Sequence, residues 1–290
     1  MTTSPLVSAR DLAARLGAGG PVTLLDVRYQ TGVADGRPAY LAGHVPGSVY
    51  VDVDEDLAAP PAGPGEPGGR HPLPSTEVFE KAMRRAGVWA DRPVVVYDDW
   101  GGRAASRAWW LLRYHGHRDV RVLDGGWAAW LDAGGATETG EVTPEPGDFE
   151  ADPGHLPVVD TEDVPQVEVL VDARAHERYA GEHEPIDPVA GHVPGAVNVP
   201  TNENLGPDGR FKHADELRRT YAAVGAVAGA DVAAYCGSGV TACHDILAMA
   251  VARVPAALWA GSWSDWVSDR TRPIDPPVDP PVDPPVEPPA

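Results

Sequence analysis

Cys236 and Cys243 are the two thiols of this 290-residue chain, and their surroundings differ. Cys236 closes the apolar run Val232 to Tyr235 and opens the small-residue stretch Gly237-Ser238-Gly239, ahead of a helical pattern that starts near Val240. That context suits a nucleophile. Only a thiolate attacks; small residues let backbone N–H groups turn toward the sulfur, and the N-terminal end of a helix adds partial positive charge. Cys243 falls a turn or two into the helix, where a free cysteine packs as a small hydrophobe. Two cysteines without further clustered ligands make neither a disulfide framework nor a zinc site.

Other residue types narrow the chemistry. A cysteine loop leading into a helix also occurs in protein phosphatases, where Cys and Arg bracket five residues and the arginine grips a phosphate. Here the closing position is Ala242, and Gly237 to Thr241 contains no cation, which excludes that reaction. His176, Glu177, His183, Glu184 and His192 are close in sequence, but Gly181 and Pro185 interrupt them, so no single helix aligns them on a metal. We therefore expect neither a metal nor a cofactor. Arg178 lies just beyond an apolar run ending at Asp172, within reach of a site at the strand ends, where a guanidinium could fork onto a carboxylate.

The elements that would position these residues occur twice. VTLLDVR (Val22 to Arg28) resembles VEVLVDAR (Val167 to Arg174), and GHVPG stands at Gly43 to Gly47 and at Gly191 to Gly195. VVVYDDWGG (Val94 to Gly102) resembles VAAYCGSGV (Val232 to Val240), and LDGGWAAW (Leu123 to Trp130) resembles LWAGSWSDW (Leu258 to Trp266). Four matches in one order imply two copies of one domain. Apolar runs alternate with helical patterns, which predicts an α/β fold: two tandem domains, each a mostly parallel sheet flanked by helices. Strands are expected at Val22–Val27, Val94–Tyr97, Val120–Leu123, Val169–Asp172, Val232–Tyr235 and Ala256–Leu258, with the site beyond their C-terminal ends. The expected boundaries are 5–140, a linker over 141–158, 159–272, and an acidic proline-rich tail over 273–290, extended because proline fixes φ and removes the backbone donor.

The repeat is also an internal control. Asp98 stands where copy two has Cys236, so copy one has the scaffold without the thiol. Features present in both copies are read as structural. These include His44 and His192 of GHVPG, as turn holders, and the pairs Asp26/Arg28 and Asp172/Arg174.

Composition sets the outer limits. Hydrophobic residues make up 43% and charged residues 23%, a globular balance. The formal net charge of −20 disfavours nucleic acid and anionic membranes as partners, and means that an anionic substrate needs local arginines. No apolar run reaches the roughly 20 residues of a membrane span. The N-terminus has no cationic start followed by an apolar block, so the expected location is cytoplasmic.

CGSGVTACH from Cys236, the doubled GHVPG and AGSWSDW together resemble the tandem-domain rhodanese-type sulfurtransferases, the family of thiosulfate and 3-mercaptopyruvate sulfurtransferases, over about residues 5 to 272. The resemblance implies a ping-pong reaction in which Cys236 takes sulfur from a small anionic donor as a persulfide. The sulfur then passes to cyanide, a small thiol or reduced thioredoxin. It implies that the backbone of Gly237, Ser238, Gly239, Val240 and Thr241 cradles the sulfur. The thiosulfate branch carries two cations in this loop; Gly237 and Ser238 replace them here, as in the mercaptopyruvate branch. That branch implies a Ser-His-Asp arrangement of Ser238 with His44 and Asp35 from copy one, assigned by position, and a carboxylate-binding role for Arg178. It also implies a second arginine within about ten residues, which Gly181 to Gly191 lacks; the loss of such a partner would weaken carboxylate binding by roughly 1.5–3 kcal/mol. Mercaptopyruvate is favoured and thiosulfate stays open. A non-catalytic module that carries sulfur or docks partners is disfavoured, because such a module would not need Cys236.

Overall fold

The computed structural model describes residues 4–29, 35–63 and 66–276. Copy one builds a parallel sheet from β1 (Leu6–Val7), β2 (Thr23–Asp26), β3 (Val49–Tyr50), β4 (Val94–Tyr97) and β5 (Val120–Leu123), in the order β1-β5-β4-β2-β3. Copy two builds another from β6 (Val169–Asp172), β7 (Val197–Asn198), β8 (Val232–Tyr235) and β9 (Ala257–Leu258), in the order β7-β6-β8-β9. The shared order β5-β4-β2-β3 and β9-β8-β6-β7 is the repeat written in space. The counterpart of β1 is a single parallel bridge from Val158 to Leu258. Strands β2, β4 and β8 are buried along their whole length, as strands covered on both faces must be, with Thr23 and Asp26 the polar ends of β2.

Register positions the site. Asp172 is level with Tyr235, so the chain leaving β6 toward Arg178 and the chain leaving β8 at Cys236 emerge side by side. The helices Arg103–Tyr114 and Ala242–Ala252 follow the two equivalent loops and share one apolar core, which runs through Ala105, Trp109 and Leu112 to Ile246, Leu247 and Met249. Each helix sends a side chain into the other copy's loop: Arg107 Nη1 donates to the Gly239 carbonyl at 3.2 Å, and His244 Nε2 lies 3.1 Å from the Gly101 carbonyl. Gly101 and Gly239 occupy equivalent places in the repeat.

Both GHVPG segments are built alike. His44 Nδ1 lies 2.9 Å from the Tyr40 carbonyl and its ring stacks on Tyr40. His192 Nδ1 lies 2.8 Å from the Tyr179 carbonyl and stacks on Tyr179. The following Val45 and Val193 N–H groups donate to the hydroxyls of Tyr97 and Tyr235. The Asp-x-Arg pairs are buried ion pairs whose arginines also donate to the first glycine of GHVPG: Arg28 to the Gly43 carbonyl, Arg174 to the Gly191 carbonyl.

Two segments are more firmly packed than their composition suggests. Phe149, in the stretch expected to be a linker, is 2% exposed and meets Phe79 edge to face. Asp275, in the expected tail, pairs with His192 in an antiparallel bridge, while Trp266 Nε1 donates to the Pro273 carbonyl. Residues 277–290 of that tail lie outside the described residues.

Candidate active site

Cys236 sits at the C-terminal end of β8 and is 2% exposed. Its Sγ accepts a hydrogen bond from Gly239 N–H at 3.2 Å. The loop can curl back to make that bond because Gly239 has φ = 80°, in the left-handed region, and because it lacks a Cβ, which would lie 2.4 Å from the Ala260 carbonyl oxygen. Ser262 Oγ accepts from Cys236 N–H at 3.1 Å and ties the loop to the turn after β9. Cys243 donates to the Gly239 carbonyl from one turn into the helix, and burial pushes its thiol up to about 12 despite the Arg107 charge nearby. A thiol held so far up stays protonated at neutral pH, which leaves Cys236 as the candidate nucleophile.

The equivalent seat in copy one shows what this loop is built to hold. Asp98 is fully buried, with one carboxylate oxygen accepting from Trp100 and Gly102 N–H and the other from Ala104 and Ala105 N–H, all at 2.8–2.9 Å. Burial pushes its carboxyl up and those amides oppose the rise. Because both oxygens are already filled by N–H donors, the charged form is the one that fits. The strand-loop-helix is thus an anion cradle, occupied in copy one by the chain's own carboxylate and headed in copy two by a cysteine.

A pocket of about 70 Å³ opens beside Cys236, lined by Gly237, Ser238, Val240, Thr241 and Arg178 of copy two and by Tyr29, Arg70, His71 and Trp100 of copy one. Ser238 Oγ lies 2.7 Å from His71 Nδ1, and His71 Nε2 lies 2.9 Å from Asp54 Oδ1. Burial holds the imidazole below its usual value; Asp54 raises it, while Arg107 and Arg70 lower it further. A neutral His71 whose Nε2–H is held by Asp54 presents Nδ1 as the acceptor for the Ser238 hydroxyl.

This corrects the assignment of His44 and Asp35 as partners of Ser238. His44 is fully buried in its GHVPG turn, where its ring is spent on Tyr40. Asp35 is exposed and accepts from the Arg37 N–H two residues on. His71 and Asp54 stand in their place. The sequence did carry a signal for His71: Gly69-Arg70-His71 matches Gly209-Arg210-Phe211, and a histidine found in one copy alone passes the same test that singles out Cys236. Phe211 reaches across to Gly102 of copy one, where an added Cβ would lie 3.3 Å from its ring, as His71 reaches across to Ser238.

Arg178 reaches the pocket, and the second guanidinium that the segment after it lacks arrives from the other copy. A Cβ on Gly237 would lie 2.9 Å from Arg70 Nη2 and 3.5 Å from Arg178 Nη2, so both cations flank the residue next to Cys236. Neither is bare. Arg178 bonds Glu184 through Nε and Nη2 and Asp187 Oδ2 at 3.0 Å, and Arg70 Nη1 pairs with Asp187 Oδ1. No group of three or more His, Cys, Asp or Glu side chains among the described residues could hold a metal ion, and no helix among them is long and apolar enough to cross a membrane.

Comparison with known proteins agrees with this geometry. Residues 8–133 and 159–269 each match the rhodanese-like domain family. The chain is similar to a Mycobacterium tuberculosis protein bearing the name thiosulfate sulfurtransferase SseB (44% identity, over 90% of this chain and 93% of that protein). It is also similar to a Pseudomonas aeruginosa protein that carries the name "Probable 3-mercaptopyruvate sulfurtransferase" (42%; 92% and 96%) and to the 3-mercaptopyruvate sulfurtransferase of Homo sapiens (35%; 90% and 91%). Among solved structures it resembles the 3-mercaptopyruvate sulfurtransferase SseA of Escherichia coli, with a TM-score of 0.77 at 33% identity over 90% of this chain and all of that one. With a cysteine in a cradle made for an anion, the fold present twice, and relatives matched along most of their length, the chain belongs to the rhodanese-like family as a tandem-domain sulfurtransferase.

Proposed function

We propose that the chain takes sulfur from 3-mercaptopyruvate onto Cys236 and passes it to a small thiol, reduced thioredoxin or cyanide. The observation that carries this reading is the hydrogen-bonded chain Ser238–His71–Asp54 beside the thiol. Mercaptopyruvate has a carbonyl next to the carbon that must leave, and thiosulfate has none, so a polarised hydroxyl has a task with the first donor alone. The Cys236 thiolate attacks the donor sulfur, a sulfur–sulfur bond forms, and the carbon–sulfur bond breaks with its electron pair moving to carbon. Ser238 O–H donates to the carbonyl oxygen as it becomes an enolate oxygen, with His71 and Asp54 holding that hydroxyl in line. The proton of the donor thiol then reaches the enolate carbon, giving pyruvate and a persulfide anion on Cys236. Arg178 and Arg70 receive the donor carboxylate. An acceptor thiolate or cyanide attacks the outer sulfur and restores the Cys236 thiolate.

The test measures both half-reactions. Wild-type protein should gain one sulfur atom on Cys236 after donor treatment and lose it to cyanide. Cys236→Ser should fold and transfer nothing; transfer by that variant would overturn the persulfide route. A higher kcat/KM for thiosulfate than for 3-mercaptopyruvate would overturn the donor.

A further inference from the structure

The two arginines that flank Gly237 are matched by two carboxylates of the chain itself. Asp187 is buried, with its side chain 1% exposed, and bridges Arg70 from copy one and Arg178 from copy two. Glu184, 3% exposed at its side chain, accepts from Nε and Nη2 of Arg178 and bonds Arg174 at 3.4 Å. Its Oε1 also accepts from the N–H groups of Ile186 and Asp187, so the turn that delivers Asp187 is pinned to the same arginine. The receiving cations are therefore each already paired with carboxylates of the chain, in a chain whose overall charge is −20.

We infer that Asp187 is a specificity-determining residue: its carboxylate fills the anion seat between Arg70 and Arg178 and selects a monoanionic donor over a dianionic one. An incoming anion has two routes. It can displace Asp187 from two charge-assisted hydrogen bonds, or it can bind beside a fixed negative charge in a largely desolvated site, where that charge is poorly screened. On either route the penalty grows with the charge that approaches. A monocarboxylate can exchange for Asp187 one charge for one. A dianion leaves an excess negative charge that no further arginine lining the pocket offsets among the described residues. Asp187 thus does by repulsion what cations in the Gly237–Thr241 loop, which has none, would undo by attraction.

This inference rests on the reading that Arg70 and Arg178 receive the donor anion. Its test is a binding measurement that needs no sulfur transfer. In a Cys236→Ser background, pyruvate (a monoanion) and thiosulfate (a dianion) are titrated by calorimetry into proteins with Asp187 intact, Asp187→Asn and Asp187→Glu. Asparagine keeps the shape and removes the charge, which should tighten pyruvate about tenfold. Because the interaction scales with ligand charge, thiosulfate should gain about a hundredfold. Asp187→Glu keeps the charge and should bind both as weakly as the parent; unchanged thermal midpoints would show that all three are folded. Equal gains for the two anions would mean that Asp187 only occupies space, and unchanged or weaker binding in Asp187→Asn would mean that it only positions the arginines; either result overturns the inference. Failure of wild-type protein to form a persulfide from 3-mercaptopyruvate would strike the proposed donor and leave the binding ratio standing.

Discussion

Cys236 and Asp98 occupy one seat in two copies of one loop, and the comparison separates what the scaffold does from what the residue does. The scaffold is built to hold negative charge; in the proposed reaction the cysteine adds a nucleophile. Around it, residue identity decides which atoms move. His71→Gln should lower kcat for 3-mercaptopyruvate by about a hundredfold or more while leaving cyanide discharge of a preloaded persulfide unchanged, because only the donor step needs a proton-accepting partner for Ser238. Since burial holds His71 below its usual value, the donor step should stay flat through neutral pH and fall only on the acid side of about 6.5, where the imidazole takes a proton and can no longer accept from Ser238. His44→Asn is the contrasting control. It should lower stability by about 1 kcal/mol through a lost buried hydrogen bond and leave the donor step intact, as urea midpoints and kcat together would show. Cys236 and Arg178 were legible in the sequence because each follows a strand that announces itself. His71 was marked only by its presence in one copy alone, and its pairing with Ser238 and Asp54 was hidden, because it meets Ser238 across 167 positions of sequence and from the other copy.

At the scale of elements, the long buried strands and the helices that follow them were plain from apolar runs and helical spacing; β4, β5, β6 and β8 have the expected limits. The short pieces were not. The helices Arg37–Ala42 and Val53–Asp56 and the strands β1, β3 and β7 hold too few residues to show a period, and tertiary packing rather than local preference makes them. That gap has a functional cost for the reading, since Asp54 sits on one of those short helices. The loop after β8 depends on backbone shape more than on side chains. Gly239→Ala forces a Cβ onto a residue at φ = 80° and against the Ala260 carbonyl. The expected result is a loss of about 1–3 kcal/mol in stability and loss of persulfide formation, because the N–H that meets Sγ can no longer be presented. A calorimetric melt and the sulfur-loading assay would check the two together.

At the scale of the whole molecule, the copy without a thiol is not idle. It supplies Tyr29, Asp54, Arg70, His71 and Trp100 to the pocket or its support, and Arg107 beneath it. Arg107 is fully buried and donates to the carbonyls of Leu57, His71, Pro72 and Gly239, so one guanidinium laces the histidine loop of copy one to the cysteine loop of copy two. Arg107→Ala should cost about 3–5 kcal/mol, in the range for unpartnering buried polar groups, and should slow the donor step along with it. Denaturant unfolding followed by tryptophan fluorescence, with kcat measured on the folded fraction, tests the coupling. The 2% exposure of Cys236 carries a further consequence for how the cargo leaves. The pocket next to its loop holds only about 70 Å³, and Tyr29 and Trp100, whose ring centroids lie 6.2 Å apart, form part of its wall. The expected consequence is that slim nucleophiles such as cyanide discharge a sulfur on Cys236 faster than bulky thiols do, and that a protein client must present its own thiol on a slender protrusion, so that the small size of the pocket sorts the recipients before any chemistry begins.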